Sequence, residues 1–170
     1  MKRAPGGTTD DARGSAIGVA GPADAASPLL LVAAFRDHLR ASTPSDAELA
    51  ERLPRLLSDP SLEFACARRN GEPVGYTQTR FHASLWARGE ALLEDLYVLP
   101  SARGAKIGRG LLRHAMQRAR VRGCELLGLS TNERNLAAQA LYRSEGFAPK
   151  RTKLWDDGRE IFWVAELGAG

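Results

Sequence analysis

Residues 93–112 read LEDLYVLPSARGAKIGRGLL. An apolar, strand-like run ends at Pro100, a basic glycine-rich turn follows, and helical periodicity starts at Ile107. Between residues 103 and 122 stand seven cations, Arg103, Lys106, Arg109, Arg113, Arg118, Arg120 and Arg122, with no Asp or Glu among them. A helix N-terminus presents N–H groups and the positive end of a dipole, and both favour an anion. Gly104 and Gly108 let the backbone approach that anion where a side chain would obstruct it. Two familiar phosphate motifs do not fit. A dinucleotide fingerprint needs G-x-G-x-x-G, whereas the glycines here fall at 104, 108 and 110, and a P-loop needs a closing Gly-Lys-Ser/Thr that is absent. The bland alternative is a helix start with a solvated basic face, and Arg118, Arg120 and Arg122 are read in that way.

The rest of the chain sets limits on what this turn serves. A length of 170 residues suits one domain, and 44% hydrophobic with 26% charged residues argues against wholesale disorder. The net charge of +4 is a local device, since outside residues 103–122 there remain 17 cations against 20 anions. A nucleic-acid surface interleaves cations with exposed aromatics, and His114 is the only ring in the basic segment, so no nucleic-acid partner is expected. Cys66 and Cys124 make neither a disulfide framework nor a metal pattern and read as buried thiols, so no metal is expected. The longest apolar run, SPLLLVAAF at 27–35, is about half of a membrane span, and no signal-cleavage pattern follows it convincingly. The expectation is a cytoplasmic chain with no membrane partner.

Along the chain, residues 1–14 read as a flexible tail and 15–170 as a single domain. SAIGVA (15–20) suits a first strand, Asp24 is a candidate N-cap for a helix through 27–41, and Ser45 or Asp46 caps a short amphipathic helix bent or ended near Pro54. Strand-like runs at 62–68 and 73–81 flank Asn70-Gly71, a strong hairpin signal. The helix after the glycine turn gathers Ile107, Leu111, Leu112, Ala115, Met116 and Ala119 on one face. A buried strand at 126–131, a helix from Asn135 closed by Gly146, and a hairpin turning at Asp157-Gly158 complete the order βααβββαβαββ, a mixed α/β fold.

Two spaced signatures resemble the GNAT acyl-CoA N-acetyltransferases. The first is Arg-x-x-Gly-x-Gly/Ala after a strand and opening a helix, read here as Arg103-Gly104-Ala105-Lys106-Ile107-Gly108; the second is Asn135, Ala138, Leu141-Tyr142 and Gly146-Phe147. The resemblance runs from about residue 16 to the C-terminus. Lys106 departs from it, standing where the family usually has its first glycine; a lysine is tolerable there if its φ is negative, and its ammonium adds a point charge near the phosphates. The resemblance implies acetyl-CoA (coenzyme A) in a V-shaped opening between the strand at 92–98 and that at 126–130. The pantetheine arm would pair with the backbone of Leu96, Tyr97 and Val98, and the pyrophosphate would lie on the amides of Gly104 to Arg109. A homodimer is also consistent with it.

Acetyl transfer to an amine needs that amine neutral, although alkylammonium groups hold their proton until pH ~10. A base removes the proton, often through water, an acid protonates the leaving thiolate, and an N–H donor meets the developing oxyanion. The resemblance makes Tyr142 the acid. Of Glu94 and Asp95 on one strand, alternation lets only one face the cleft, and the similarity of LEDLYV to polyamine and diamine N-acetyltransferases favours Glu94 as base. Phe35, His82, Trp86 and Trp155 are candidate walls for the acceptor. Carboxylates near the cleft floor suit a small cationic amine such as a polyamine, an aminoglycoside or a basic amino acid. A regulatory acyl-CoA-binding module without turnover, or a protein or peptide N-acetyltransferase, is the alternative.

Overall fold

The computed structural model describes residues 9–10, 15–82, 85, 89–155 and 158–168. Its elements run β1 (Thr9–Asp10), β2 (Ser15–Ala20), α1 (Ala26–His38), α2 (Asp46–Ser58), β3 (Leu62–Arg69), β4 (Glu72–His82), β5 (Glu90–Val98), α3 (Ile107–Val121), β6 (Leu126–Asn132), α4 (Leu136–Ser144), β7 (Ala148–Trp155) and β8 (Gly158–Glu166). They pack as two compact units, residues 1–78 with 95–114 and residues 79–94 with 115–170.

In the first unit the strand order is β1-β2-β3-β4. β2 pairs antiparallel with β3 from Ser15–Arg69 to Ala20–Phe64. Because strand side chains alternate between faces, β3 feeds two clusters. Phe64 and Cys66 join Leu31 of α1, Leu53 and Leu57 of α2, Tyr76 and Tyr97. Ala65 and Ala67 join Ile17, Ala102, and Ile107 and Leu111 at the start of α3. The approach of β4 to the end of β5 is close. A Cβ on Gly75 would lie 2.8 Å from the Tyr97 carbonyl oxygen and 3.1 Å from Leu111, so only glycine fits. Asn70 (φ 53°) and Gly71 (φ 84°) make the tight β3–β4 hairpin that their sequence signals.

In the second unit β5 pairs parallel with β6 from Glu90–Leu126 to Leu93–Leu129. β6 is antiparallel to β8, and β8 to β7, which makes the sheet mixed. Trp163 and Leu127, wholly buried, fill its core. The outermost strand, β7, is blunted by Pro149, a register shift between Pro149 and Arg151, and exposed cations at 150, 151 and 153.

The α/β class and its mixed sheet agree with expectation, but several details do not. The supposed tail contributes β1, whose Thr9 and Asp10 pair with Ile17 and Ala16. Asp24 is not the cap of α1: it ends a 3-10 turn at Pro22–Asp24, and α1 follows Ala25 without a side-chain cap bond. Pro54 neither ends nor replaces helix, since α2 continues to Ser58 with Leu49, Leu53 and Leu57 buried along one stripe. That burial outweighs the single N–H the proline lacks. Asp157 of the last hairpin lies outside the described residues. Among the described residues no helix is long and apolar enough to cross a membrane.

Candidate functional site

The glycine-rich turn belongs to the first unit. After β5, a 3-10 turn at Pro100–Ala102 leads to Arg103, whose Nε donates to the Val98 carbonyl at 3.2 Å and whose Nη2 lies 3.4 Å from His38 Nε2. Gly104 has φ 83° with nothing within 4 Å of where a Cβ would stand. Lys106 has φ 63°, contrary to the negative angle expected of a lysine. It holds the left-handed conformation that the usual glycine would adopt, at a cost of about 1–3 kcal/mol. Gly110 N–H closes the first turn of α3 on the Lys106 carbonyl, and the N–H groups ahead of it are those a helix start presents outward. No acidic residue stands in that turn. Left-handed residues at 104 and 106, open space at Gly104 and cations at 103, 106 and 109 suit an anion. These residues fit the pyrophosphate of coenzyme A. Ile107 and Ala105 anchor the turn, Ile107 buried and Ala105 packed beside it in the same cluster.

Near this turn in the same unit is a carboxylate among rings. Asp95 Oδ2 accepts from the Tyr76 hydroxyl at 3.1 Å. Tyr76 is fully buried, and burial first, then the charge of Asp95, pushes its pKa far above the ordinary tyrosine value, so it stays a donor. Phe35 meets Tyr76 at 6.3 Å and Tyr97 at 5.1 Å between centroids, and His38 meets Tyr97 at 5.6 Å. Phe35, Asp95 and Tyr97 are therefore brought together, although Tyr97 had been singled out for its backbone alone. Tyr76 and His38 were missed by the sequence reading. The strand alternation of β4 marks Tyr76 as inward, but only tertiary register shows that it meets Asp95.

The second unit carries the remaining candidates. Glu94 Oε1 is ion-paired with Arg80 Nε at 2.7 Å, a partner the sequence did not suggest. His82 is exposed at the end of β4. Trp155 closes β7, and Trp86 lies outside the described residues. Asn135 caps α4 by accepting from Ala138 N–H at 3.1 Å, so both residues of the second signature shape the helix start. Tyr142 is 7% exposed, its ring 6.0 Å from Phe147 and 6.3 Å from Trp163 between centroids, and burial raises its pKa. A phenol so placed keeps its proton through neutral pH, as a general acid must. Two arginines read as a wet helix face are engaged instead. Arg120 Nε donates to the Leu167 carbonyl at 2.8 Å, and the Arg122 guanidinium lies 4.1 Å from the centre of the Phe81 ring. Helical periodicity reports one helix and is blind to what packs against it.

The model of the acetyltransferase (GNAT) family matches residues 31–147, a span that holds the glycine-rich turn, the Asn135 cap and Tyr142. The chain belongs to the GNAT family. Among GNAT relatives, an aminoalkylphosphonate N-acetyltransferase of Salmonella typhimurium is 42% identical over 95 residues, which are 54% of this chain and 60% of that protein. The chain thus spans about three-fifths of the length of that relative. An uncharacterised N-acetyltransferase of Bacillus subtilis is 32% identical over 126 residues, 73% of this chain and 83% of its own. Of solved GNAT structures, a ribosomal-protein-alanine N-acetyltransferase from Brucella melitensis superposes with a TM-score of 0.73 at 26% identity, covering 88% of this chain and 98% of that one.

Proposed function

We propose that this GNAT protein transfers the acetyl group of acetyl-CoA directly to the primary amine of a small cationic substrate, without a covalent enzyme intermediate. The turn from Arg103 to Arg109 carries the reading, because its two left-handed residues and its helix start without acid suit a polyphosphate. Bound acetyl-CoA supplies an activated thioester. The chain's part is to hold it, to admit a neutral amine and to return a proton to the thiolate. Tyr142, kept protonated by burial, is the proton donor.

The two carboxylates of β5 differ in the partners they meet. Arg80 pairs with Glu94 at 2.7 Å, and the Tyr76 hydroxyl donates to Asp95 at 3.1 Å. We read Glu94, the base that the resemblance favours, as the group that takes the proton of the ammonium, and Asp95, on the opposite face of β5, as a residue engaged with Tyr76. Glu94→Gln is then expected to lower kcat strongly with partial recovery at high pH, where more amine is already neutral, and Asp95→Asn to alter activity less, with any loss tracking stability. Reversed profiles would exchange the two roles.

The substrate is tested by following thiol release from acetyl-CoA across polyamines, aminoglycosides, basic amino acids, an aminoalkylphosphonate and peptides with free N-termini. The aminoalkylphosphonate is included because the Salmonella relative bears that name. Turnover with peptides alone would remove the small-amine reading. Acetyl-CoA binding with no turnover on any amine class would favour a regulatory module.

A further inference from the structure

Trp163 lies on β8 opposite Leu129 of β6 and Pro149 of β7, and none of its surface is exposed. Its indole meets the Tyr142 ring at 6.3 Å between centroids, with the planes at 59°. Phe147 meets the same phenol at 6.0 Å and 50°. Next to Tyr142 on α4, Arg143 lays its guanidinium 5.0 Å from the indole centre and donates from Nη2 to Gln139 Oε1 at 3.4 Å. Gln139, itself buried, donates to the Glu133 carbonyl at 2.7 Å. The indole is thus gripped by α4 at two neighbouring residues, and one of them is anchored to the loop before the helix.

The hydrogen bonding of Trp163 sharpens the point. Its buried Nε1–H has no acceptor among the described residues. A buried donor without an acceptor is destabilising, and a purely apolar side chain would avoid that cost. The residue is therefore not in place for a hydrogen bond to the protein. What it offers is a broad, rigid aromatic ring, tilted at 59° against the phenol ring and covered by the Arg143 guanidinium.

We propose that Trp163 is a positioning residue for Tyr142: its ring fixes the plane and depth of the phenol and keeps water away from it. The inference rests on the reading of Tyr142 as the proton donor, because displacement of that hydroxyl by a fraction of its length would slow proton transfer without weakening substrate binding. Phe147 also meets that ring, at 6.0 Å, which gives the Gly-Phe end of the second signature a physical purpose.

The test is a tyrosine titration alongside kinetics. Protein labelled with [13Cζ]tyrosine gives three phenol resonances, for Tyr76, Tyr97 and Tyr142, and Tyr142→Phe identifies the third by its loss. In the wild type the Tyr142 signal should ionise above the ordinary tyrosine value. Trp163→Leu keeps the core apolar but removes the flat face. It should move that midpoint down toward the ordinary value and lower kcat about 10-fold, with KM changed less than about 2-fold. Trp163→Phe, which restores a ring, should recover most of both losses, and Trp163→Met replaces the leucine variant where the latter does not fold. A folded Trp163→Leu or Trp163→Met protein whose Tyr142 titrates as in the wild type overturns the proposal, whatever its stability. Wild-type turnover in Tyr142→Phe would remove the acid assignment alone, and the titration would still decide whether Trp163 governs the phenol.

Discussion

Two helix starts in the first unit are built to opposite plans. α2 closes its own N-terminus: Ser45 Oγ accepts from Glu48 N–H at 3.3 Å, and the Glu48 carboxylate takes the Ser45 N–H at 2.8 Å. Hydrogen bonds from Ser45 hold Glu48 below its ordinary carboxylate pKa, so the cap stays charged to lower pH than a free glutamate would. α3 is entered through Gly104, Ala105 and Lys106, none of which has a side-chain acceptor, and its first turn holds no acid. A capping box satisfies a helix from within, whereas an entry without acceptors leaves the same groups to be satisfied from outside. Whether a helix start serves stability or binding can be read from who supplies the acceptor.

That contrast breaks first at Gly108. An Asp in the first turn of α3 favours the helix dipole by about 0.3–1 kcal/mol, so Gly108→Asp should fold as well as the parent or better. Set against phosphates, however, the added carboxylate should weaken acetyl-CoA by more than about 100-fold, measured by calorimetry. Unchanged affinity in that folded variant would end the cofactor assignment. Tyr142→Phe comes next, with kcat reduced by about 10²-fold while the melting temperature and acetyl-CoA affinity hold. Wild-type turnover there would place proton return on solvent or another group. At the closed helix the effect should fall on stability alone. Ser45→Ala should cost about 1 kcal/mol in denaturant unfolding, with acetyl-CoA affinity intact. The smallest change is Lys106→Gly, which relieves a left-handed lysine. It should raise stability by roughly 0.5–1 kcal/mol, set against the loss of one cation from the phosphate turn. A loss of stability in Lys106→Gly would mean that the lysine side chain makes contacts worth more than its strain.

What was legible in the sequence was local. The Asn70-Gly71 hairpin, the Ser45 cap of α2 and the start of α4 at Asn135 are each set within a few residues, and each formed. What depended on distant strands was not legible. The Tyr76–Asp95 bond spans 19 positions and the Arg80–Glu94 pair 14, so both need the register of β4 beside β5. Arg120 and Arg122 looked solvated because their partners, Leu167 and Phe81, come from distant parts of the chain that helical periodicity does not see. Lys106 shows a further limit, since the turn imposes a conformation that its own residue type disfavours.

The close approach at Gly75 also bears on how this chain can evolve. With 2.8 Å to the Tyr97 carbonyl, any larger residue at 75 must first displace backbone, so no single step in sequence space leads away from glycine there. Gly104 is held by its torsion angle alone, and Asn, which tolerates that region, is open to it. Over many generations the strand contact should stay frozen while the turn drifts, and a lineage could retune its grip on the cofactor long before it could loosen its sheet.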